Sequence, residues 1–527
     1  MRFLPIGPRT LLVELADLDH TLALFDALLV DPLPGLAEII PAARTLMIRT
    51  APGIPADAAL AARILSRGAG AAARRDSPAE IVEIPTIYDG EDLDDVAAHL
   101  DLSTAEVIAA HQQATWQVAF CGFAPGFAYM TCDDPRFELP RRPAPRTRIP
   151  AGSVALAGRF CGVYPQETPG GWQLIGRTRV PMWDLDRDPP ALLRPGLRAR
   201  FLRGEAQSYP STALPEAAPA PAPNGGLELQ ASAFPVLFQD DGRPGQGGQG
   251  VSGSGALDRS AAHRANRALG NPAGEAVLEI TLGPVRFHAS RALTLALTGA
   301  VDAARIARDG REVPVTPGLA FAMDAGDTLL IAPPARGMRS YLALRGGFRV
   351  APVLGSAATD TLAFIGPPAA RPGTVLEPAN RPAGAVLALP EPAPELPVAG
   401  DLVTLPVTLG PRTDWFSDDM IRHFLDQEWL VTPESSRVGI RLKGEQPLTR
   451  DDARELPSEG TETGAIQIPH SGQPVLFLAD HPLTGGYPVI ATLMPQALDL
   501  AGQIPPGARI RFAAAGPFAP ITPARQP

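Results

Sequence analysis

The chain has 527 residues, and since roughly 100–200 residues form one domain, three or four packed units are expected. Its 45% hydrophobic and 19% charged residues exclude global disorder. A formal net charge of −10 argues against binding to nucleic acid or to an anionic membrane surface, because both are polyanionic. The 51 glycines and 60 prolines predict many short elements joined by turns.

Lys443 is the single lysine among the 46 basic residues, and the rest are arginines. A P-loop needs a lysine directly after its last glycine to reach nucleotide phosphates, but Lys443 stands in Arg-Leu-Lys-Gly. A Walker-type ATPase is therefore excluded. Arginines are the expected binders of anionic ligands.

The cysteines and histidines predict no metal site. Cys121, Cys132 and Cys161 form an odd set without a C-x-x-C pair, which favours neither a disulfide framework nor a zinc site. The eight histidines form no H-x-H or H-x-x-x-H pair. The sequence starts without a signal-peptide pattern and holds no apolar run of about 20 residues, so a cytoplasmic protein without a membrane span is expected.

The elements of the first half predict a small α/β lobe followed by β structure. Up to residue 113 the apolar pattern switches between periods of 2 and 3.6, with strands at 11–15, 45–49 and 80–88 and helices at 18–30, 56–66, 92–100 and 105–113. A capping box of Ser103 and Glu106 opens the last helix. From 115 to 201 short β-branched or aromatic runs alternate with Gly and Pro turns, as in a barrel or sandwich.

The second half is predicted to be mainly short strands, with helices at 257–269 and 418–427. Two proline-rich stretches divide the chain, since this composition is typical of linkers. The predicted organisation is an α/β lobe at 1–80, a barrel at 81–204, a linker at 205–225, a barrel subdomain at 226–366, a proline-rich connection at 367–397 and a further barrel at 398–527. The fold class is thus mainly β with a small α/β lobe.

One internal repeat links the two halves. Residues 152–172 resemble residues 464–487: an alternating strand ends at a glycine, a short strand follows, and a threonine leads into a Gly-Gly-aromatic turn. The turns are Thr168 with Gly170, Gly171 and Trp172, and Thr484 with Gly485, Gly486 and Tyr487. β-turns converge on such strings by chance, but the repeat also predicts two related barrels that face one site.

Two neighbouring segments of the first half have unusual compositions. Residues 120–129 hold four Phe and Tyr spaced by glycines and a proline, so they plug a barrel end or wall a pocket for a flat ligand. Residues 140–153 hold four arginines on a proline-stiffened strip that no acid close in sequence neutralises. A solvated charge run is the alternative, but guanidinium groups bind carboxylate or phosphate in a bidentate manner, and we favour an anion site.

A glycine-rich loop in the second half matches G-x-G-x-x-G at 245–250. Five residues separate it from the preceding predicted strand, and no βα repeat follows, so we reject a dinucleotide site. We interpret it as part of a mobile loop that carries Asp241 and Arg243 and ends at Asp258 near a helix start. His111 and His481 lie near the repeated motifs and are candidate acid/base groups, although a lone histidine is more often structural.

The motifs together resemble a known pair of families. Residues 80–203 carry F-x-G-F-x-P-G-F-x-Y, P-R-R-x-x-P-R-x-x-I-P-A-G-S and T-P-G-G-W-Q-L-I-G-R-T, and resemble the allophanate hydrolase subunit 1 family, which includes the 5-oxoprolinase B component and a sporulation-kinase inhibitor. Residues 235–515 resemble its partner, the subunit 2 family or 5-oxoprolinase C component, through strings such as S-G-A-L-D, Y-L-A-L-R-G-G and T-G-G-Y-P. One chain here resembles both components fused.

The resemblance implies a ferredoxin-like lobe, cyclophilin-like barrels in both halves and a catalytic surface between them. It implies a component of an ATP-dependent 5-oxoprolinase, which opens 5-oxoproline to glutamate through a phosphorylated lactam. A separate A-type subunit would take part, and Mg²⁺ would be the counter-ion of ATP. A carboxyltransferase component of a biotin-dependent urea carboxylase and a kinase-inhibitor-like binding protein are the alternatives. Covalently bound biotin is not expected, because Lys443 lies in no Met-Lys-Met-like turn. A homo-oligomer is possible.

Site residues follow from the motifs and the resemblance together. His111, Asp241 and Asp258 are the predicted acid/base groups. The predicted substrate or phosphate contacts are Arg142, Arg146, Ser153, Thr168, Gly170, Gly171, Trp172, Arg243, Asn266, Arg345, Arg437, His481, Thr484, Gly485, Gly486 and Tyr487. Arginines and backbone amides would stabilise developing negative charge on the lactam without a P-loop.

Overall fold

The computed structural model describes residues 1–69, 80–142, 144, 146–204, 225–452 and 454–524. All of the predicted linker except Gly225 lies outside these residues. Four units follow one another: an α/β lobe, a barrel, a two-sheet unit and a second barrel. Mainly β structure with a small α/β lobe is therefore confirmed.

The α/β lobe is a four-stranded antiparallel sheet in the order β1-β2-β4-β3, covered by two helices. Asp17 caps the first helix by accepting from the His20 amide, and Leu22 and Phe25 bury its apolar face. The elements are β1 (Arg2–Gly7), β2 (Thr10–Glu14), α1 (Leu18–Val30), β3 (Leu36–Pro41), β4 (Thr45–Thr50) and α2 (Ala58–Ala69). The strands β1 and β3 were not predicted, because prolines and a charged residue interrupt their apolar pattern.

The first barrel has seven strands in the order β12-β9-β10-β7-β6-β13-β5. Reciprocal hydrogen bonds of 2.8 Å between Ile87 and Arg177 join its two edges. The predicted capping box of Ser103 and Glu106 is confirmed. The elements are β5 (Ile81–Thr86), α3 (Leu93–Leu100), α4 (Thr104–Gln113), β6 (Trp116–Cys121), β7 (Ala128–Thr131), β8 (Arg146–Ile149), β9 (Ser153–Ala157), β10 (Phe160–Val163), β11 (Thr168–Gly170), β12 (Gln173–Arg177) and β13 (Arg198–Arg203).

The two-sheet unit packs a six-stranded and a five-stranded sheet around one apolar core. Its helix lies against β18 and β23 of the smaller sheet. The elements are β14 (Leu227–Ser232), β15 (Leu237–Gln239), α5 (Arg259–Ala268), β16 (Val277–Thr281), β17 (Val285–Ala289), β18 (Leu293–Gly299), β19 (Ala304–Arg308), β20 (Arg311–Pro314), β21 (Ala320–Met323), β22 (Thr328–Ile331), β23 (Arg339–Leu344) and β24 (Val375–Leu376). The last strand falls within the predicted proline-rich connection and pairs with β14.

The second barrel is closed, in the order β25-β32-β29-β30-β27-β26-β33. Its core holds the buried rings of Phe424, Trp429 and Phe512. The elements are β25 (Leu402–Leu409), α6 (Asp418–Asp426), β26 (Trp429–Val431), β27 (Gly439–Lys443), β28 (Glu459–Gly460), β29 (Ala465–Gln467), β30 (Val475–Phe477), β31 (Thr484–Gly485), β32 (Val489–Leu493), α7 (Leu498–Ala501) and β33 (Arg509–Ala514).

The two barrels share one topology. Read from β32, the second barrel runs β32-β29-β30-β27-β26-β33-β25, which matches the first strand for strand in chain order. Each barrel has one parallel pair, β13 with β5 and β33 with β25. Each also has a separate two-stranded ribbon, β8 with β11 and β28 with β31. The short repeat in the sequence is thus one part of a duplicated barrel.

The α/β lobe joins the second barrel through charged groups. Arg49 of β4 pairs with Glu462 at 3.0 Å, and Thr10 donates to the same carboxylate. Glu14 accepts from Arg412 at 2.8 Å. These contacts hold the two halves of the chain against each other.

Among the described residues, every helix is too short or too polar to span a lipid bilayer.

Candidate functional site

A central cavity of about 220 Å³ lies between the two barrels. Both repeated turns line it, with Gly170, Gly171 and Trp172 from the first half and Thr484, Gly485, Gly486 and Tyr487 from the second. The turns begin in β11 and β31, the equivalent ribbon strands of the two barrels. The structure therefore brings the repeated motifs together at one place.

Glycines allow the two halves to approach closely at this cavity. A β-carbon on Gly122, in the aromatic loop, would overlap the side chain of Thr484. A β-carbon on Gly170 would overlap the hydroxyl of Tyr164. No larger residue fits either position without moving its neighbour.

An aromatic wall forms one side of the cavity. The Phe127 ring lies edge-on to the rings of Tyr164 and Trp172, with centroids 5.2 and 5.3 Å apart. Tyr129 packs against Trp172 at 5.5 Å. Such contacts fix the rings, so the wall is rigid and suits the face of a small flat ligand.

Burial raises the pKa of Tyr129 to about 12, while Arg141 and a hydrogen bond with Ser458 act in the opposite direction. The hydroxyl of Tyr129 is therefore protonated at neutral pH. It can donate to an acceptor, but it is not available as a base.

Two guanidinium groups, Arg141 and Arg450, line the same cavity. Arg141 Nε lies 3.8 Å from Glu455, and Arg450 contacts Nδ1 of His470. One carboxylate thus faces two permanent positive charges, because arginine stays protonated in proteins. The net positive charge beside an aromatic wall suits a small ring that carries a carboxylate.

The hydroxyl oxygen of Thr484 is buried at the cavity, and no described residue hydrogen-bonds to it. The equivalent threonine of the first barrel, Thr168, has the same property. Leaving a buried hydroxyl unpaired costs about 1–3 kcal/mol. A ligand atom that accepts or donates here would recover that free energy.

Comparison with known families decides the relationship. A model of the carboxyltransferase domain, subdomains A and B, matches residues 249–514, about half of the chain. A model of subdomains C and D of the same domain matches residues 1–193. The chain belongs to the carboxyltransferase-domain family.

Relatives in this family match each half separately. The 5-oxoprolinase C component of Escherichia coli K12 is 37% identical over 290 residues, which are 54% of this chain and 90% of that protein. The 5-oxoprolinase B component of Escherichia coli O157:H7 is 40% identical over 175 residues, 32% of this chain and 79% of that protein. The chain thus joins a B-like and a C-like half, as the motifs predicted.

A longer enzyme and a solved structure extend the family relationship. The urea amidolyase of Lachancea kluyveri is 33% identical over 306 residues, 53% of this chain but 16% of that enzyme. The crystal structure of TTHA0988 is 35% identical, with a TM-score of 0.80, covering 96% of this chain and 99% of that one.

Seven predicted contact residues of this carboxyltransferase-domain protein line the central cavity, and two more lie next to it. Thr168 and His481 line a second cavity of about 160 Å³. Burial lowers the pKa of His481, and its Nδ1 donates to the Pro482 carbonyl at 2.9 Å. His481 is therefore neutral near pH 7.

Two arginines of the strip, Arg142 and Arg146, pair with an acid that is distant in sequence and do not line the central cavity. Arg142 and Arg146 both pair with the buried Asp92, the latter at 2.8 Å. The second barrel holds the same arrangement with reversed charges: Arg412, at the position of Asp92, pairs with Glu459, at the position of Arg146. This equivalence favours a structural role for the ion pair in both barrels, and hence for Arg146 in the first.

His111 lies in the core of the first barrel, where its ring packs on Phe201 at 4.5 Å and its Nδ1 bonds to the Tyr88 hydroxyl. Burial lowers its pKa to about 3, so it is neutral at physiological pH. The Trp116 indole donates to the His111 carbonyl, as the Trp429 indole donates to that of Phe424. A phenylalanine thus fills the equivalent position of the second barrel.

The remaining predicted polar contacts bind the protein's own backbone, away from the central cavity. The side chains of Ser153, Arg243, Asn266 and Arg345 donate to the carbonyls of Pro150, Ala358, Glu275 and Leu269, respectively. Each of these bonds braces a loop. Because these four side chains lie away from the central cavity, their positions do not support the predicted role in ligand binding.

Asp241, Asp258 and Arg437 lie in the second half, also outside the central cavity. Asp241 pairs with His263 at 2.6 Å near the surface, and Asp258 caps α5 by accepting from the Ala261 amide. Arg437 is buried and bonds to Asp480 at 2.9 Å and to Glu279. The Arg437 cluster joins the two-sheet unit to the second barrel.

Sequence reasoning missed Arg141, Arg450 and Tyr164 as cavity residues. Neighbouring side chains on an extended strip face opposite sides, and this alternation could have separated Arg141, at the cavity, from Arg142, on Asp92. No local motif marks Arg450, which the fold brings in from the loop before β28.

The described residues contain no group of three or more His, Cys, Asp or Glu side chains placed to hold a metal ion. The central cavity is also smaller than the roughly 300–1,000 Å³ usual for drug-sized ligands. Its volume suits one amino-acid-sized molecule better than a nucleotide.

Proposed function

We propose that this chain supplies both the B and the C components of a 5-oxoprolinase and binds 5-oxoproline in the central cavity. The observation that carries the proposal is the cavity between a B-like and a C-like half, lined by both repeated turns, an aromatic wall and two arginines. 5-Oxoproline is a five-membered lactam with one carboxylate. Its ring fits the wall, and its carboxylate fits Arg141 and Arg450.

The reaction adds water across the lactam amide. The water oxygen bonds to the ring carbonyl carbon, the carbon–nitrogen bond breaks, and the nitrogen takes a proton to give glutamate. Amides resist this attack. Transfer of the terminal phosphoryl group of ATP to the carbonyl oxygen, with release of ADP, makes the ring carbon more electrophilic. Attack by water and cleavage of the C–N bond then give an acyl phosphate, and a second water displaces inorganic phosphate to give glutamate. The Thr484 hydroxyl and the protonated Tyr129 can donate hydrogen bonds to oxygen atoms on which negative charge develops.

ATP use is assigned to a separate A-type subunit. The relatives are named as individual subunits of 5-oxoprolinase, which supports a multi-subunit enzyme. The small volume of the cavity and the absence of a P-loop lysine in the sequence support the same division of roles.

The test combines purified chain, an A-type 5-oxoprolinase subunit, ATP, Mg²⁺ and 5-oxoproline, and measures glutamate. Glutamate formation that needs both proteins and ATP is the expected result. No glutamate under these conditions, together with no binding of 5-oxoproline to the chain, overturns the proposal.

A carboxyltransferase component is the second candidate, favoured by the family description and by the urea amidolyase relatives. This candidate predicts carboxyl transfer to urea when a carboxylated biotin carrier is added. The same purified chain serves for both assays. Turnover with the carrier, and none with the A-type subunit, would select it.

A further inference from the structure

The central cavity and the second cavity lie end to end along both repeated turns. Thr168 and Pro169 line the second cavity, and the next residues, Gly170 to Trp172, line the central one. On the opposite wall, Leu483 lines the second cavity and the next residue, Thr484, lines the central one. The two spaces are therefore neighbours.

Phe123 lines both cavities and stands between them. Its ring lies edge-on to Phe127 at 5.3 Å and to Tyr164 at 6.3 Å, so the aromatic wall holds it in place. The side chain is partly buried and packs on the same cluster as the rest of the wall.

The backbone of Phe123 has φ of +67°, in the left-handed region that a bulky side chain rarely adopts. The surrounding loop maintains it: the Ala124 amide donates to the Gly122 carbonyl, and the Gly126 amide donates to the Gln249 carbonyl at 2.9 Å. Glycine would adopt this conformation without strain. A strained aromatic residue at the border of a ligand-sized cavity points to function rather than to packing alone.

We infer that Phe123 is a specificity-determining residue: its ring closes the central cavity against the second one and limits the ligand to an unsubstituted small lactam carboxylate. This inference rests on the proposed function. Removal of the ring would join the cavities. The second cavity offers the apolar side chains of Ala124, Leu362 and Leu483, which suit an apolar substituent on the lactam ring.

The test combines variants that lack the Phe123 ring with a ligand that carries an additional aromatic group. Phe123→Ala removes the phenyl ring, and Phe123→Gly removes the whole side chain while suiting the left-handed backbone. The control is Phe160→Ala, because Phe160 is also partly buried against the aromatic cluster but lines neither cavity. Binding of 5-oxoproline and of 4-benzyl-5-oxoproline to the full chain is measured by titration calorimetry.

We expect either Phe123 variant to bind 4-benzyl-5-oxoproline at least about tenfold more tightly than the wild type does, with no gain for Phe160→Ala. Equal affinity in all folded proteins, or the same gain in Phe160→Ala, overturns the role of Phe123. Failure of the wild type to bind 5-oxoproline counts against the proposed function alone, since the comparison of variants for the benzyl ligand still decides the role of Phe123.

Discussion

Gly122 of the first half lies directly against the Thr484 side chain of the second half, with no room for a β-carbon between them. We expect Gly122→Ala to displace the Thr-Gly-Gly-Tyr turn and to lower kcat/KM for 5-oxoproline turnover. Overpacking of this kind destabilises a protein by about 1–3 kcal/mol. Chemical denaturation measures the loss of stability, and glutamate formation with the A-type subunit measures the loss of activity.

The control for this prediction is Gly7→Ala. A β-carbon on Gly7 meets no atom within 4 Å. Wild-type activity in Gly122→Ala, at unchanged stability, would show that the two halves tolerate separation at the cavity.

Arg141 and Arg148 come from the same strip but face different surroundings, which makes them a matched pair. Arg141 lines the central cavity, whereas Arg148 is 74% exposed and pairs with Glu167. A charged hydrogen bond contributes about 1.5–3 kcal/mol, so we expect Arg141→Ala to raise KM for 5-oxoproline roughly 10- to 100-fold. Arg148→Ala should leave KM unchanged, and equal KM values in the two variants would remove Arg141 from the site.

His111→Phe tests whether the buried imidazole of the first barrel is structural. Phenylalanine fills the equivalent position of the second barrel, where Phe424 stacks on Phe512 at 4.8 Å. We therefore expect His111→Phe to retain kcat and to lose less than about 1.5 kcal/mol of stability at pH 8. A loss of kcat of two or more orders of magnitude in the folded variant would establish His111 as an acid/base group.

The pH dependence of stability gives His111 a second signature. Its pKa in the folded protein is about 3, below the unfolded value near 6.5, so the unfolded chain binds the proton more tightly. Acidification below pH 6.5 therefore destabilises the wild type, by at most about 1.4 kcal/mol per pH unit. His111→Phe should lack this component, and denaturation at pH 5 and pH 8 would reveal it.

The fold could be predicted from the sequence where periodicity was strong. Helix α1 begins and ends where its apolar pattern and its Asp17 cap indicate. The short repeat predicted two related barrels, but it covers only a few of their strands, so the agreement of all seven strands in order is visible only in the structure. His111 and Phe424 occupy the same position with different chemistry.

The candidate site was predictable at its turns and not at its charges. A Gly-Gly-aromatic string has a local cause, since close approach of two backbones needs residues without a β-carbon. The acid that pairs with an arginine, by contrast, cannot be identified from the residues next to it in sequence. Asp92, which neutralises Arg142 and Arg146, is about 50 residues away in sequence, and only the folded barrel brings these groups together.

Asp92→Asn tests the structural role of the ion pairs that Asp92 forms with Arg142 and Arg146. The carboxylate of Asp92 is buried and accepts from Arg146 and from the Leu174 amide at 2.7 Å. Without the Asp92 carboxylate, Arg142 loses its acidic partner and the half-buried Arg146 keeps Glu91 alone, so we expect a cost of about 1–3 kcal/mol. Glu167→Gln, which breaks the exposed pair with Arg148, should cost about 0–1 kcal/mol.

Acid titration separates this ionic contribution from simple loss of packing. Burial acts to raise the pKa of Asp92, but the hydrogen bonds from Arg146 and Leu174 and the positive charges of Arg146 and Arg142 outweigh it, and the pKa is lowered. The stability that Asp92 contributes is therefore present above its unfolded pKa near 3.9 and is lost as the pH falls through the lower folded value. The difference in unfolding free energy between wild type and Asp92→Asn should shrink below pH 4, whereas a difference that is constant from pH 7 to pH 3 would assign the effect to packing.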